Sequence, residues 1–181
     1  SWALKWDWFI KIGVSSEAPA LVGADLRLAA QLERLLAAAD PLEGCALLLG
    51  DKIAKVLVVQ EVWPCCNRWP MTEERGRRFA IDPREQLQAQ KWARLHRMAV
   101  LGFAHSHPSS PPAPSATDLA LCVAPALLAI QGFETPGSRA SLAWWWIEGD
   151  GAEPLRLPRG CHGEWMDSSI AFARHSLLLP M

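Results

Sequence analysis

The chain has 181 residues, half of them apolar, which is enough for one domain with its own core and too apolar for a disordered segment. Its formal net charge of −1 offers no basic surface of the kind nucleic-acid binding requires. No uninterrupted apolar run approaches the ~18 residues of a membrane span, and the charged start of the chain does not read as a signal sequence, so neither membrane attachment nor secretion is expected.

Residues 1–22 read as an N-terminal extension in which Trp2, Trp6 and Trp8 form an aromatic stripe suited to an added edge strand. The domain proper is expected over 23–158, with a C-terminal tail at 159–181. Leu26, Leu28, Leu32, Leu35 and Leu36 make one apolar side of a helix over about 24–39. Strands are expected over 45–49 and 53–63, followed by a polar loop over 64–78. The cluster of Arg75, Arg77 and Arg78 in that loop suits solvation, or the steering of an acidic partner. A short strand or turn at 79–81 leads to a helix with Asp82 as N-cap and Pro83 at its first position, where a missing N–H costs nothing. That helix ends near His96.

The apolar run 98–104 reads as a buried strand. Residues two apart on a strand share a face, so His105 and His107 project together and Ser106 points the other way. Pro108 has no N–H and ends the strand, and the Pro-rich loop 109–114 is stiff and non-helical. Ser115 opens a helix, because Ser-x-x-Asp before Leu119 is an N-cap with an acid at the third helical position. The cap places the Asp118 carboxylate beside the strand end that carries the imidazoles. Two imidazoles and a carboxylate suit a catalytic zinc and leave the fourth tetrahedral position open for water. Pro125 is expected to close the helix. Strands over 126–133 and 141–147, joined through 134–139, and a short one at 155–157 complete a mixed α/β layout. His96, His162 and His175 read as ordinary core or surface histidines.

A zinc-activated water needs a proton acceptor that is not a ligand. Glu43, between the first helix and the first core strand, is a candidate. Read locally it is more simply a solvent-exposed loop acid, because a buried carboxylate is costly without a partner.

Taken together, Glu43-x-Cys45-Ala46-x-Leu48-x-Gly50, His105-x-His107-Pro108 and Ser115-x-x-Asp118 resemble the JAMM (JAB/MPN) metalloprotease family in its compact prokaryotic form. Asn67 and the run Arg78-Phe79-Ala80-Ile81-Asp82-Pro83 resemble the stretch that family places between its Glu and His motifs. The likeness extends from roughly residue 26 to 157, with Ala46 where the family commonly has Gly. It implies an α/β fold, a single JAB/MPN-type domain with helices packed on a curved mixed sheet. It also implies one Zn²⁺ per chain on His105, His107 and Asp118, with Glu43 moving the proton and Ser115 serving the oxyanion. The implied reaction is hydrolysis of a peptide or isopeptide bond after the Gly-Gly-type tail of a ubiquitin-like or sulfur-carrier protein. No long insertion follows Asp118, unlike in the polyubiquitin-chain enzymes of the family. The alternative is a catalytically inactive MPN-type scaffold, whose mark would be a missing ligand or base. A zinc deaminase would need a Pro-Cys-x-x-Cys pair that the chain lacks.

Five cysteines, with only Cys65 and Cys66 adjacent, form no disulfide framework, so a cytoplasmic location is expected. Cys45 reads as a core residue. Side chains of Trp144, Trp145 and Trp146 alternate faces on their strand, so one indole must leave the core side. That offers an apolar groove or a homodimer contact.

Overall fold

A computed structural model of the chain describes residues 18–149 and 151–160. Among these, the elements run β1 (Leu21–Gly23), α1 (Leu26–Ala37), β2 (Cys45–Ile53), β3 (Val56–Cys65), a 3-10 turn (Thr72–Glu74), α2 (Pro83–Leu95), β4 (Ala99–Ser106), α3 (Ala116–Leu121), β5 (Ala126–Gly132), β6 (Ser141–Ile147), β7 (Leu155–Leu157) and β8 (Arg159–Gly160). Trp2, Trp6, Trp8, His162 and His175 lie outside the described residues. All eight strands form one sheet in the order β7-β6-β5-β4-β2-β3-β1-β8. It is mixed: β4 is parallel to β5, and β1 is parallel to both β3 and β8, while the remaining neighbours are antiparallel. The expected α/β architecture of a mixed sheet with helices packed on it is therefore present.

Each face of the sheet has its own helical cover. Asp25 caps α1, accepting the Leu28 N–H at 2.7 Å. The helix then buries Ala29, Leu32 and Leu36, which recur at helical spacing on one stripe. Leu32 and Leu36 pack on Ala46, Leu48, Leu57, Ala104, Leu127, Trp144 and Trp146. The opposite face carries Cys45, Leu47 and Leu49 under Ala89 and Ala93 of α2. Farther along that face, Leu128, Ile130 and Ile147 meet Cys122 and Ala124, just past α3. The strands are apolar on both sides because both sides are covered.

Three local expectations need correction. Gly50 does not end β2; the strand runs on to Ile53, with a bulge between Leu49 and Gly50. A Cβ at Gly50 would lie 1.8 Å from the Val58 carbonyl oxygen, so this glycine permits a close approach and is not a turn. Residues 79–81 form no strand. The helix after Ser115 stops at Leu121, short of Pro125, with Cys122 already extended at φ −70°, ψ 130°. Proline also disfavours helical geometry at its preceding residue, so Ala124 is a poor position for α3 to reach. At the sheet edge, β1 (Leu21–Gly23) pairs with β8 (Arg159–Gly160).

Candidate metal centre

The centre lies at the end of β4, on the face covered by α2 and α3. Register brings the start of β2 alongside, since Cys45 is opposite His105. His105 is fully buried, and His107 and Asp118 nearly so. Beyond the strand, the His107 N–H continues the pairing by donating to the Gln131 carbonyl at 2.7 Å. As the sequence predicts, the two imidazoles converge: their Nε2 atoms are 3.0 Å apart. Asp118 Oδ1 lies 3.2 Å from His105 Nε2, and Oδ2 lies 3.3 Å from His107 Nε2.

These distances fit a single small cation. Ligand atoms about 2.0–2.1 Å from a tetrahedral zinc are about 3.3–3.4 Å from each other. His105, His107 and Asp118 are therefore a group that can hold a metal ion, each offering one ligand atom. Without a cation the three side chains satisfy one another. Burial lowers His105, keeping it neutral. Burial acts the same way on His107 but is outweighed by Asp118, the Pro111 carbonyl and the charge of Glu43, so its net shift is upward. For Asp118 burial is outweighed by the two histidines, and its carboxyl sits well below the usual carboxylate range.

Surrounding groups fix the ligands. His107 Nδ1 lies 2.7 Å from the Pro111 carbonyl oxygen, which only accepts, so Nδ1 carries a proton and Nε2 is the nitrogen left to bind a cation. Phe79 stacks on the His105 ring, with centroids 4.6 Å apart; His105 Nδ1 is buried with no hydrogen-bond partner. The capping box at α3 is complete. Ser115 Oγ accepts the Asp118 N–H at 3.1 Å, and Asp118 Oδ2 accepts the Ser115 N–H at 2.7 Å. Such a cap contributes about 1 kcal/mol, and here it also aims the carboxylate. Ser115 itself is exposed.

Glu43 is not the exposed loop acid that its local sequence suggests, being 5% exposed. Burial pushes its carboxyl up to about 7, against the charge of His107 and with that of Asp118. The loop 66–80 holds its backbone from both sides. Its N–H donates to the Arg75 carbonyl at 2.7 Å, and its carbonyl accepts from Asn67 Nδ2 at 3.1 Å. Asn67 organises the loop, donating also to the Arg78 carbonyl and accepting from the N–H groups of Trp69 and Ala80. Much of the Arg cluster is committed within this loop. Arg75 Nε donates to the Trp69 carbonyl at 2.8 Å, and Arg78 lies 3.6 Å from Glu74 and over the Trp69 ring.

Two supporting residues escaped the sequence reading. Ser106 accepts the Gly44 N–H at 2.8 Å, tying the metal strand to the residue after Glu43. A hydroxyl on the core side of an apolar strand was the available signal. Phe79, placed in a short strand or turn, is an aromatic wall. The remaining candidates are plain: Cys45 is a core thiol that burial pushes up to about 12, and His96 caps α2, stacked on Trp92.

Comparison with known proteins agrees with this geometry. No curated protein matches the chain in sequence. Among solved structures, that of protein DSY2949 from Desulfitobacterium hafniense is similar at a TM-score of 0.65 and 27% identity, covering 78% of this chain and 94% of its own. A protein from Salinibacter ruber is similar at a TM-score of 0.57 and 28% identity, covering 77% and 91%. The family model for prokaryotic homologs of the JAB domain matches residues 25–156, a span that contains Glu43, both imidazoles and the capped carboxylate, and the chain belongs to that family.

Proposed function

We propose that the protein is a zinc-dependent peptidase or isopeptidase. The observation that carries this reading is the trio of His105 Nε2, His107 Nε2 and Asp118 carboxylate, buried and 3.0–3.3 Å apart, with a buried Glu43 two residues before Cys45, the residue that pairs with His105. Zinc held there supplies Lewis acidity, acidifying a water and polarising the scissile carbonyl. Glu43 takes the proton of the attacking water. The water oxygen bonds to the carbonyl carbon, the C–N bond breaks, and Glu43 passes the proton to the leaving amine. Ser115 Oγ is used as an acceptor by its own cap, which leaves its proton for the developing oxyanion.

The substrate in this reading is the bond after the Gly-Gly-type tail of a ubiquitin-like or sulfur-carrier protein, in the cytoplasm. Family membership supports the reaction class. The short α3–β5 connection, residues 122–125, favours a compact substrate over a polyubiquitin chain. Among the described residues no helix is long and apolar enough to cross a membrane.

The test begins with metal content. The purified protein is expected to carry about one zinc per chain, and His107→Ala to lose most of it. Glu43→Gln is expected to keep zinc while cleavage of a Gly-Gly-tailed fusion falls about 10²–10⁴-fold. Ser115→Ala is expected to keep zinc and lose roughly 10²-fold in kcat. Stoichiometric zinc in His107→Ala would sink the ligand assignment, and zinc without cleavage of any tailed fusion would make the protein an MPN-type scaffold.

A further inference from the structure

The loop that orients His107 is itself held from the sheet. On β6, Trp144 and Trp146 pack in the core under α1, and Trp145 faces the other way, next to Leu128, Ile130 and Ile147. Its indole Nε1–H donates to the Pro112 carbonyl at 2.9 Å. The carbonyl one residue earlier, that of Pro111, is the acceptor for His107 Nδ1. Neither proline has an N–H with which to tether itself. Beyond those two bonds, the loop's backbone attachments are the Phe133 N–H to the Ser110 carbonyl at 2.9 Å and an internal bond from the Ala113 N–H to the Pro111 carbonyl. The loop lies flat on Gly132, where a Cβ would come within 2.5 Å of the Ser110 oxygen. On the outer side, the Arg156 guanidinium sits 5.7 Å from the centre of the Trp145 ring.

We propose that Trp145 is a positioning residue for the metal centre: its N–H fixes the Pro111-Pro112 carbonyls, and through them the ring orientation of His107. This rests on reading His105, His107 and Asp118 as a metal centre. A carbonyl that drifts lets the imidazole rotate, and Nε2 then leaves the common point set by the other two ligands. Loss of a direct outer partner of a ligand costs about 10–100-fold in metal affinity. Trp145 acts one residue removed, so its loss belongs at the lower end, about tenfold.

Zinc Kd, by competition with a chromogenic chelator, and the Co²⁺ absorption spectrum are measured for the wild type, Trp145→Phe and Trp146→Phe. Trp146 is the control, because it is buried on the opposite face and its Nε1 has no hydrogen-bond partner. Trp145→Phe is expected to weaken zinc about tenfold and to alter the Co²⁺ bands. Trp146→Phe is expected to lower the thermal midpoint with Kd unchanged. If Trp145→Phe folds poorly, benzothienylalanine at position 145 replaces the N–H by sulfur in a ring of the same shape and is expected to give the same tenfold loss. Zinc binding by the wild type with an unchanged Kd in the folded variant or the analogue would overturn the role of Trp145 and leave the centre standing. A wild type that binds no metal would overturn both.

Discussion

Glu43 is a costly placement, a carboxyl 5% exposed. A carboxyl held off water to about 7 keeps its proton in the folded protein after the unfolded chain has lost it near 4.5. Between these values the folded state binds the extra proton, so this residue makes stability fall as pH rises from about 4.5 to about 7. The amide of Glu43→Gln has no proton to lose. In the metal-free protein the thermal midpoint of Glu43→Gln, relative to wild type, is therefore expected to rise across that window and level off above it. A difference that stays flat from pH 4 to 8 would show that the carboxyl is not held off water. This burial was not legible in the local sequence, where Glu43 reads as an exposed loop acid between helix and strand; what holds Glu43 is a loop returning from Asn67 and Arg75, more than twenty positions on. The histidines and Asp118 were legible because strand end and capped helix are adjacent in the chain.

At the scale of elements, most boundaries follow from local chemistry: Asp82 and Ser115 cap the helices that their positions predict, and Asp25 caps α1, which starts at Leu26 and not at 24. Two departures from expectation involve partners distant in sequence. Gly50 looks like a stop until the Val58 carbonyl is opposite it. The two-residue β8 is too short to show any periodicity, and exists because β1 offers it an edge. Trp144 to Trp146 alternate as read: Trp144 and Trp146 are buried under α1, and Trp145 is half-buried beside Leu128 and Ile130 on the other face. The end of α2 contains one local conflict. After the C-cap His96, Arg97 adopts φ +58°, and the Met98 N–H reaches back to the Ala93 carbonyl at 2.8 Å. This is the left-handed closure that glycine normally supplies. A Cβ there costs about 1–2 kcal/mol, and the greater freedom of unfolded glycine returns about 0.5–1 kcal/mol of that. Arg97→Gly is therefore expected to stabilise by about 0.5–1 kcal/mol, read as a higher denaturant midpoint with an unchanged slope. A destabilised variant would mean that the exposed Arg97 side chain makes a contact worth more than the backbone strain.

For the molecule as a whole, the sheet brings the site together and does not depend on it. Register between β2 and β4 sets the Glu43 junction beside His105, and the parallel step from β4 to β5 leaves room for α3 to cross with its carboxylate. The sequence pattern supplied the strands but not their order, which depends on long-range pairing at both edges of the sheet. The apolar packing of α1, α2 and the strands does not use the polar side chains of His107 and Asp118. Those two and His105 meet one another at 3.0–3.3 Å without help, so removing the metal leaves no buried charge unpaired. Chelation is thus expected to leave the far-UV circular dichroism intact. Zinc then stabilises only through its preference for the folded chain, by about 2.7 kcal/mol at a free concentration 100 times Kd. In a domain of this size that corresponds to a thermal midpoint roughly 5–10 °C above that of the chelated protein. The increment is expected to vanish in His107→Ala and to persist in Glu43→Gln. Loss of secondary structure on chelation would make the metal part of the fold, and an equal rise in His107→Ala would place the zinc somewhere other than this centre.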